Sequence, residues 1–537
     1  MKGRPQPVAD APRTAPFLEV ELKLALPASQ CERLKRHPAL RAVSPHRAVL
    51  ADLDAVYFDT PDLALQSHGM AVRLREAGGN WVQTVKTRGD ASGGLHQRLE
   101  WESPSDGVHL DFSDISDDGV RSTLENPTLR PRLQAAFRTR FRRWARLLVF
   151  PDGTQIELAL DQGEILAGTR SVPISELELE LKAGHPAALF RFALTLLADL
   201  DLQPEQRSKA ERGYALAQDT QAPAQRAAPP RLTRTMPCRA ACAAFLTAAQ
   251  QQWLANRLGA MAGEDPAFLH QARVGLRRLR ATLSVFRAAI PADTLALLRE
   301  ELRWLMQSLG PARDWDVFVG ETLPLVAADA TTEAGLAEVR LLALQARQVA
   351  RRAAATSLDS RRAAACALRI GLLACELAQP EGNEEPLGPG ALPARDALDA
   401  GNQRLDGFAR RLLRKRGRTA LLGAEELLAL DVDGRHAWRI TLKKLRYTSD
   451  FLLGVVGRRS RARRWVNALT SVQDILGSMN DAASTHHLLS QLPTQSTAGR
   501  EAQAMLRGFV NGVSHARLTQ LEMARAMLAA TDRPWKR

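Results

Sequence analysis

The sequence predicts an α+β N-terminal domain, a closed antiparallel β-barrel tunnel with flanking helices, followed by an all-α C-terminal domain of two duplicated helical bundles. Three observations predict this. From Phe17 to about Arg170 short segments alternate apolar and charged residues with period two, between breaks rich in Gly, Pro and Asp. From Cys238 nearly to the end the period becomes helical. Within that helical region, "HQARVGLRRLR" from His270 recurs as "HAWRITLKKLR" from His436, and "LGPARDWDVF" from Leu309 as "LGSMNDAAST" from Leu476, at nearly one offset.

The strand segments come in order. "FLEVELKLAL" opens the series, then "AVYFDT", "MAVRLRE", "WVQTVKTR", "HQRLEWE", "RRWARLLVF", "TQIELALD" and "SVPISELELELKAGH". "PAALFRFALTLLADL" reads as an amphipathic helix with Pro at its start. The aperiodic stretch from Gln218 to Pro237, rich in Ala, Pro and Arg, reads as a linker. A second break from Gln379 to Asp396 splits the helical region. The expected division is therefore 15–217, a linker at 218–237 and a helical domain at 238–530, with halves of about 238–378 and 397–530.

At 537 residues the chain exceeds one core, and its 45% apolar and 25% charged composition excludes global disorder. Lys and Arg total 73 against 59 Asp and Glu, a formal charge of +14, which points to an anionic partner. Five cysteines without zinc or redox spacing, no signal-like apolar run in "MKGRPQPVADAPRTAP" and no long apolar span lead to the expectation of a cytoplasmic protein without a membrane partner. No GxxxxGK[ST] loop is present, which argues against ordinary P-loop NTPase chemistry.

Counting by twos, Glu19, Glu21 and Lys23 share a face, as do Arg73 and Arg75, the trio Arg98, Glu100 and Glu102, the pair Glu157 and Asp161, and the run Glu176, Glu178, Glu180 and Lys182. A single such strand is ordinarily a solvated sheet face. Here nearly every polar position is a carboxylate or a cation, which suits a closed barrel with a charged lumen. Carboxylates there would bind Mg²⁺ or Mn²⁺, and arginines would grip phosphate oxygens.

"EVELK" matches the ExExK signature, and with "VRLR", "TVKTR", "QRLEWE", "ELELELK" and "SKAERGY" in the same order the N-terminal region resembles the CYTH superfamily. These triphosphate tunnel metalloenzymes include class IV adenylyl cyclases, thiamine triphosphatases and inorganic triphosphatases. The resemblance implies Glu19, Glu21, Asp161, Glu178 and Glu180 as ligands of Mg²⁺ or Mn²⁺, and Glu19, Glu21 and Lys23 as the catalytic signature. It implies a phosphate clamp of Arg73, Arg75 and Lys86, with Arg98, Arg138, Arg140, Lys182 and Lys209 as further phosphate-binding candidates. "FRTRFRR" offers two registers for Arg138 and Arg140. One ion would bridge phosphate oxygens against the clamp and another would activate water, with Glu21 or Glu180 taking the proton.

On a helix, residues three, seven and ten apart share a sector, so His270, Arg273, Arg277 and Arg280 form one stripe and His436, Arg439, Lys443 and Arg446 another. These blocks resemble the CHAD domain, and the resemblance implies that the eight residues contact polyphosphate. The second half has Asn480 where the first has Arg313. The runs Arg410–Arg418 and Gly457–Trp465 read as solvated helix ends.

The leading expectation is a metal-dependent inorganic triphosphatase, cleaving triphosphate to diphosphate and phosphate, with polyphosphate bound by the helical domain. Thiamine triphosphate is favoured instead if Trp81 or Trp101 stacks its organic moiety at the mouth, and an adenylyl cyclase would need an adenine pocket that the sequence does not supply. A non-catalytic polyphosphate-binding protein is the further alternative. Nucleic acid is disfavoured as a partner because the basic stripes carry few aromatics to stack bases.

Overall fold

The computed structural model describes residues 16–220, 222–326, 333–379, 400–425, 432–456 and 459–535. The N-terminal run through residue 15, and the second break from residue 380 onward, lie outside the described residues. The chain divides into two compact units, the first running to Pro223 and taking in Ala367–Leu373, the second made of Ala224–Cys366 and the chain from Ala374.

The first unit is an antiparallel barrel. Its strands are β1 (Phe17–Ala25), β2 (Val49–Asp59), β3 (Met70–Ala77), β4 (Asn80–Thr87), β5 (Asp90–Ser92), β6 (Leu95–Ser105), β7 (Gln134–Val149), β8 (Gln155–Ala167), β9 (Arg170–Ala183) and β10 (Gln203–Pro204). Eight of them run in the order β1-β9-β8-β7-β2-β3-β4-β6, and β6 pairs back with β1 to close the ring. Closure explains the alternation, because one face of each strand then lines the lumen while the other forms the outside of the barrel, part of which the helices cover. Leu22 and Leu24 of β1, Leu158 and Leu160 of β8, and Leu177 and Leu179 of β9 are buried. Their charged neighbours take the other face and look inward.

Six helices accompany the barrel: α1 (Cys31–Lys35), α2 (Pro38–Ala42), α3 (Ala64–Ser67), α4 (Asp118–Leu124), α5 (Ala187–Leu197) and α6 (Lys209–Gln218). The apolar face of α5 packs on β1 and β9. Outside β3, β4 and β6, Val72, Val85 and Trp101 pack with Phe112, Ile115 and Leu124. Helix α6 starts at a capping box, in which the Ser208 hydroxyl accepts from the Glu211 amide and the Glu211 carboxylate accepts from the Ser208 amide. It brings Tyr214 onto Phe137, which stacks on Tyr57 at 4.5 Å between ring centroids. Gly213 makes this approach possible: a Cβ there would lie 2.2 Å from the Phe137 ring.

After the boundary the chain is helical: α7 (Cys238–Ala255), α8 (Arg257–Ala262), α9 (Pro266–Val285), α10 (Ala292–Ser308), α11 (Gly310–Val317), α12 (Glu333–Leu358), α13 (Arg361–Ala378), α14 (Leu405–Glu425), α15 (Val432–Val456), α16 (Arg459–Ser490) and α17 (Thr497–Ala530). The two His-Arg blocks lie on α9 and α15, which are in contact. One core cluster joins Trp315, Phe318, Val339 and Ala343 to Leu488, Leu489, Leu492 and Leu506. Not all of the stretch read as a linker is free chain. Both backbone groups of Gln225 bond to the Asn256 side chain, at 2.8 and 2.9 Å, and the carbonyls of Arg234 and Met236 accept from the amides of Asp406 and Leu405.

Candidate functional site in the barrel lumen and on the paired helices

The barrel encloses a cavity of about 470 Å³. Glu19, Glu21 and Lys23 line it, with Lys23 only 2% and Glu21 3% exposed, so the charged face of β1 looks into the lumen. An ammonium this deep survives only when paired. The Lys23 Nζ reaches Glu21 Oε2 at 2.8 Å and also donates to Glu178, across the β1–β9 pairing that sets Lys23 opposite Glu178. Burial alone would pull the Lys23 pKa down, but Glu178 and Glu21 outweigh it and hold it above its ordinary value.

Arg98 bridges the two signature carboxylates, from Nε to Glu19 and from a terminal nitrogen to Glu21, both at 2.7 Å. Lys86 stands between Glu19 at 3.0 Å and Glu100 at 2.6 Å. Burial would raise the Glu19 carboxyl, yet Lys86, Arg98 and Lys23 together hold it well below the usual carboxylate range. Glu100 is the opposite case. Burial dominates, Glu19 adds to it, and Lys86 and Arg73 only partly offset them, so its carboxyl is pushed up to about 7.

Arg73 and Arg75 also line the cavity. Their Nε atoms are buried without a hydrogen-bond partner, and Arg73 beside it, with burial, pulls the Arg75 guanidinium below its ordinary value. Two adjacent guanidiniums with unsatisfied buried donors are an anion-binding arrangement.

A second cluster lies across the lumen. Arg143 holds Asp161 with a two-bond fork at 2.8 and 2.7 Å and also donates to Glu178. Lys209, from the first turn of α6, reaches Asp161 at 2.7 Å and Glu178 at 3.0 Å and pairs with Glu176, which Arg212 holds at 2.8 Å. Ligand oxygens of Asp161, Glu176 and Glu178 lie within 4.8 Å of one another. Asp161 is fully buried and does not line the cavity, so in this structure it anchors Arg143 and Lys209. Glu180 and Glu157 do line it, with Lys182 at 2.6 Å from Glu180. The all-oxygen donor set of Glu19, Glu21, Glu178 and Glu180 fits a hard divalent cation. Among the described residues nine Lys or Arg and eight Glu side chains line the lumen, so a polyphosphate would leave excess negative charge unless cations entered with it.

Two expectations are corrected. Arg138 and Arg140 face outward: they are about half exposed and pair with Asp54. On β7 it is Phe137, Thr139 and Phe141 that are buried, with α6 packed nearby, and this register leaves Arg143 as the inward arginine. Neither Trp81 nor Trp101 is among the described lining residues. Trp101 is buried outside the barrel wall, its indole N–H donating to Ser116 at 3.2 Å. The exposed aromatic at the cavity is Phe17, on the inward face of β1 opposite Glu100. Glu100 and Arg143 join the site residues that the sequence implies; the alternation of "QRLEWE" puts Glu100 on one face with Arg98, whereas nothing in "FRTRFRR" singles out Arg143.

In the helical unit, two equivalent arrangements converge. The charge of Asp314 acts on Arg273 as that of Asp481 acts on Arg439, although burial outweighs it and pulls both guanidiniums down, Arg273 to about 10. Arg273 also donates to the Met306 carbonyl at 3.0 Å. Burial, then Arg313 and Arg277, lowers the His270 pKa. Lys443 falls to about 8 through burial, then Arg439 and Arg277, which places the stripes of both halves in one cationic field. Arg280 is exposed, and Arg446 lies 3.1 Å from Gln473 and 3.7 Å from Asp450. The side chains of His436 and Asn480 lie outside the described residues. Arg416, expected at a solvated end, is instead drawn inward onto the carbonyls of Lys444 and Ser284.

The CYTH domain family matches residues 18–214 and the CHAD domain family residues 244–490. The chain is 35% identical over 199 residues to the inorganic triphosphatase of Haemophilus influenzae. That match takes in 37% of this chain and 54% of that protein, so the chain spans about half the length of the curated relative it matches. Among solved structures, the CHAD domain from the plant Ricinus communis is 29% identical, over 59% of this chain and 99% of that one, with a TM-score of 0.49. PptA from Streptomyces chartreusis is 20% identical over 54% of this chain and 99% of that one, with a TM-score of 0.39. An adenylyl cyclase-like protein from Hippeastrum, described as having a dominant triphosphatase activity, is 19% identical over 38% and 98% of the two chains, with a TM-score of 0.29. No described helix is long and apolar enough to cross a membrane.

Proposed function

We propose, since the chain carries a CYTH domain over residues 18–214 followed by a CHAD domain over residues 244–490, that the first unit hydrolyses inorganic triphosphate and the helical unit binds polyphosphate. The observation that carries the first half is the pair of orphaned guanidinium Nε atoms of Arg73 and Arg75 in a carboxylate-rich cavity. The curated relative named an inorganic triphosphatase supports the same reading. On it, the domains run 15–217 and 238–530, and the protein works in the cytoplasm.

Arg73, Arg75 and Lys86 would hold the phosphate chain, with Arg98, Arg143, Lys182 and Lys209 setting the field around it. Glu19, Glu21, Glu178 and Glu180 would hold Mg²⁺ or Mn²⁺, which would supply charge neutralisation and Lewis acidity there. Lys23 keeps Glu21 and Glu178 in place through its two ion pairs. Glu100, beside Lys86 and Arg73, would take the proton of the attacking water as its oxygen bonds the terminal phosphorus and the bridging P–O bond breaks, releasing diphosphate.

The test is phosphate release from inorganic triphosphate with Mg²⁺ or Mn²⁺, beside ATP, thiamine triphosphate and long polyphosphate. Cleavage of triphosphate that disappears in Glu21→Gln supports the reading. Turnover of none of them, with polyphosphate still bound, would replace it with a non-catalytic polyphosphate-binding protein. Phe17 at the cavity favours one second reading, in which an organic triphosphate rests its ring there. A kcat/KM for thiamine triphosphate above that for inorganic triphosphate would select it.

Two pH dependences follow. Glu100 must be ionised to accept a proton, so kcat should rise as pH passes about 7, and Glu100→Gln should remove that limb from the pH–rate profile. Lys443 must be charged to attract a polyanion, so polyphosphate affinity should fall as pH rises through about 8. Lys443→Arg, which stays cationic, should flatten that fall in a titration series from pH 7 to 9.

A further inference from the structure

The segment before α7 is strapped to the helical unit at a definite place. Asn256, itself fully buried, accepts the Gln225 amide and donates to the Gln225 carbonyl, while its amide nitrogen also donates to the Gln252 carbonyl. Its neighbours along the chain fix what lies opposite. A Cβ on Gly275 of α9 would lie 2.6 Å from the Trp253 backbone, Gln252 hydrogen-bonds Gln271 at 2.8 Å, and Gly259 lies against the Phe268 ring. Asn256 therefore sits beside the turn of α9 that runs from Phe268 to Gln271, the turn that carries His270.

Arg226 follows Gln225 directly and is exposed, so its charge is not spent in the core. It is among the cations that, after burial, Arg313 and Arg277, act on the His270 imidazole. The clasp of Gln225 by Asn256, beside the turn of α9 that carries His270, is what holds Arg226 on this side of the helical unit.

We propose that Arg226 is a phosphate-contacting residue of the polyanion site on the helical unit, that Asn256 positions it, and that a bound phosphate polymer in turn tightens the strap at residues 224–227. The inference rests on the polyphosphate reading of that unit. By linkage, if the strap is needed for full affinity, ligand must protect the strap by the same factor.

The experiment uses the full chain and long-chain inorganic polyphosphate at several salt concentrations. Arg226→Ala is expected to weaken binding about tenfold and to reduce the slope of log affinity against log salt by about one, the signature of one lost phosphate contact. Arg226→Lys should recover most of both. Asn256→Ala should weaken binding to a similar degree, and the double variant should be little weaker than either single one. Hydrogen exchange at the amides of 224–227 should slow on adding polyphosphate in wild type and not in Arg226→Ala. Wild-type binding with an unchanged affinity and slope in Arg226→Ala would overturn the inference alone. Failure of wild type to bind polyphosphate would remove the underlying reading and the inference with it.

Discussion

Arg73→Ala should lower kcat/KM for inorganic triphosphate by about 10³-fold, most of it in kcat, since arginines that meet transition-state charge on a transferring phosphoryl group are worth that much. The guanidinium is almost enclosed, with Tyr57 at 3.4 Å and Glu100 at 3.7 Å, and its Nε has no partner within the protein. Its removal takes away a phosphate donor and also a cation beside the buried Glu100, so stability has to be measured together with the rate. Arg73→Lys should recover only part of the rate, because an ammonium cannot present the two-pronged donor geometry. Steady-state kinetics beside a urea melt make the check. A loss under tenfold, or one explained by unfolding at assay temperature, would take Arg73 out of the phosphate clamp.

Lys209→Met should destabilise the first unit by about 3–5 kcal/mol, the range for leaving buried partners uncompensated. The lysine is 7% exposed and serves Asp161, Glu176 and Glu178 at once. Asp161 and Glu176 are themselves almost completely buried, so no water replaces the lost ammonium. Adding Glu176→Gln should restore part of the stability, because one of the stranded charges is then gone. The sign with pH is fixed by Glu178. Burial would raise its carboxyl, but Lys209, Lys23 and Arg143 hold it far below the ordinary 4.5. Its contribution is then present above pH 4.5 and lost as pH falls further, so wild type should lose stability on the acid side more steeply than Lys209→Met. Urea unfolding followed by circular dichroism from pH 7 to 3 measures both effects. Equal stability of the two proteins at pH 7 would mean that the acidic cluster does not depend on Lys209.

The period-two strands, the helical region with its internal repeat, and the shared faces of Glu19, Glu21 and Lys23 and of Arg73 and Arg75 can all be read from the residues alone. These are local properties. Side-chain direction along a strand is fixed by the pleat, and a repeat is visible wherever the chain goes. Glu100 was visible on the same basis, as a carboxylate between Arg98 and Glu102, but its proton-accepting character was not, because that comes from burial inside the closed barrel and from the charge of Glu19 on β1, which outweigh Lys86 and Arg73.

Which arginine of "FRTRFRR" enters the lumen depends on packing across the fold. Both registers alternate equally well, and the choice falls to Phe137 and Phe141, which turn inward with Tyr214 of α6 in the same cluster and carry Arg143 in beyond them. Packing across the fold also decides that Asp161 anchors cations from a buried position, and that the linker residue Gln225 is clasped by Asn256. Each of these depends on a partner distant in sequence, and pairing across the fold leaves no periodic trace in a single chain.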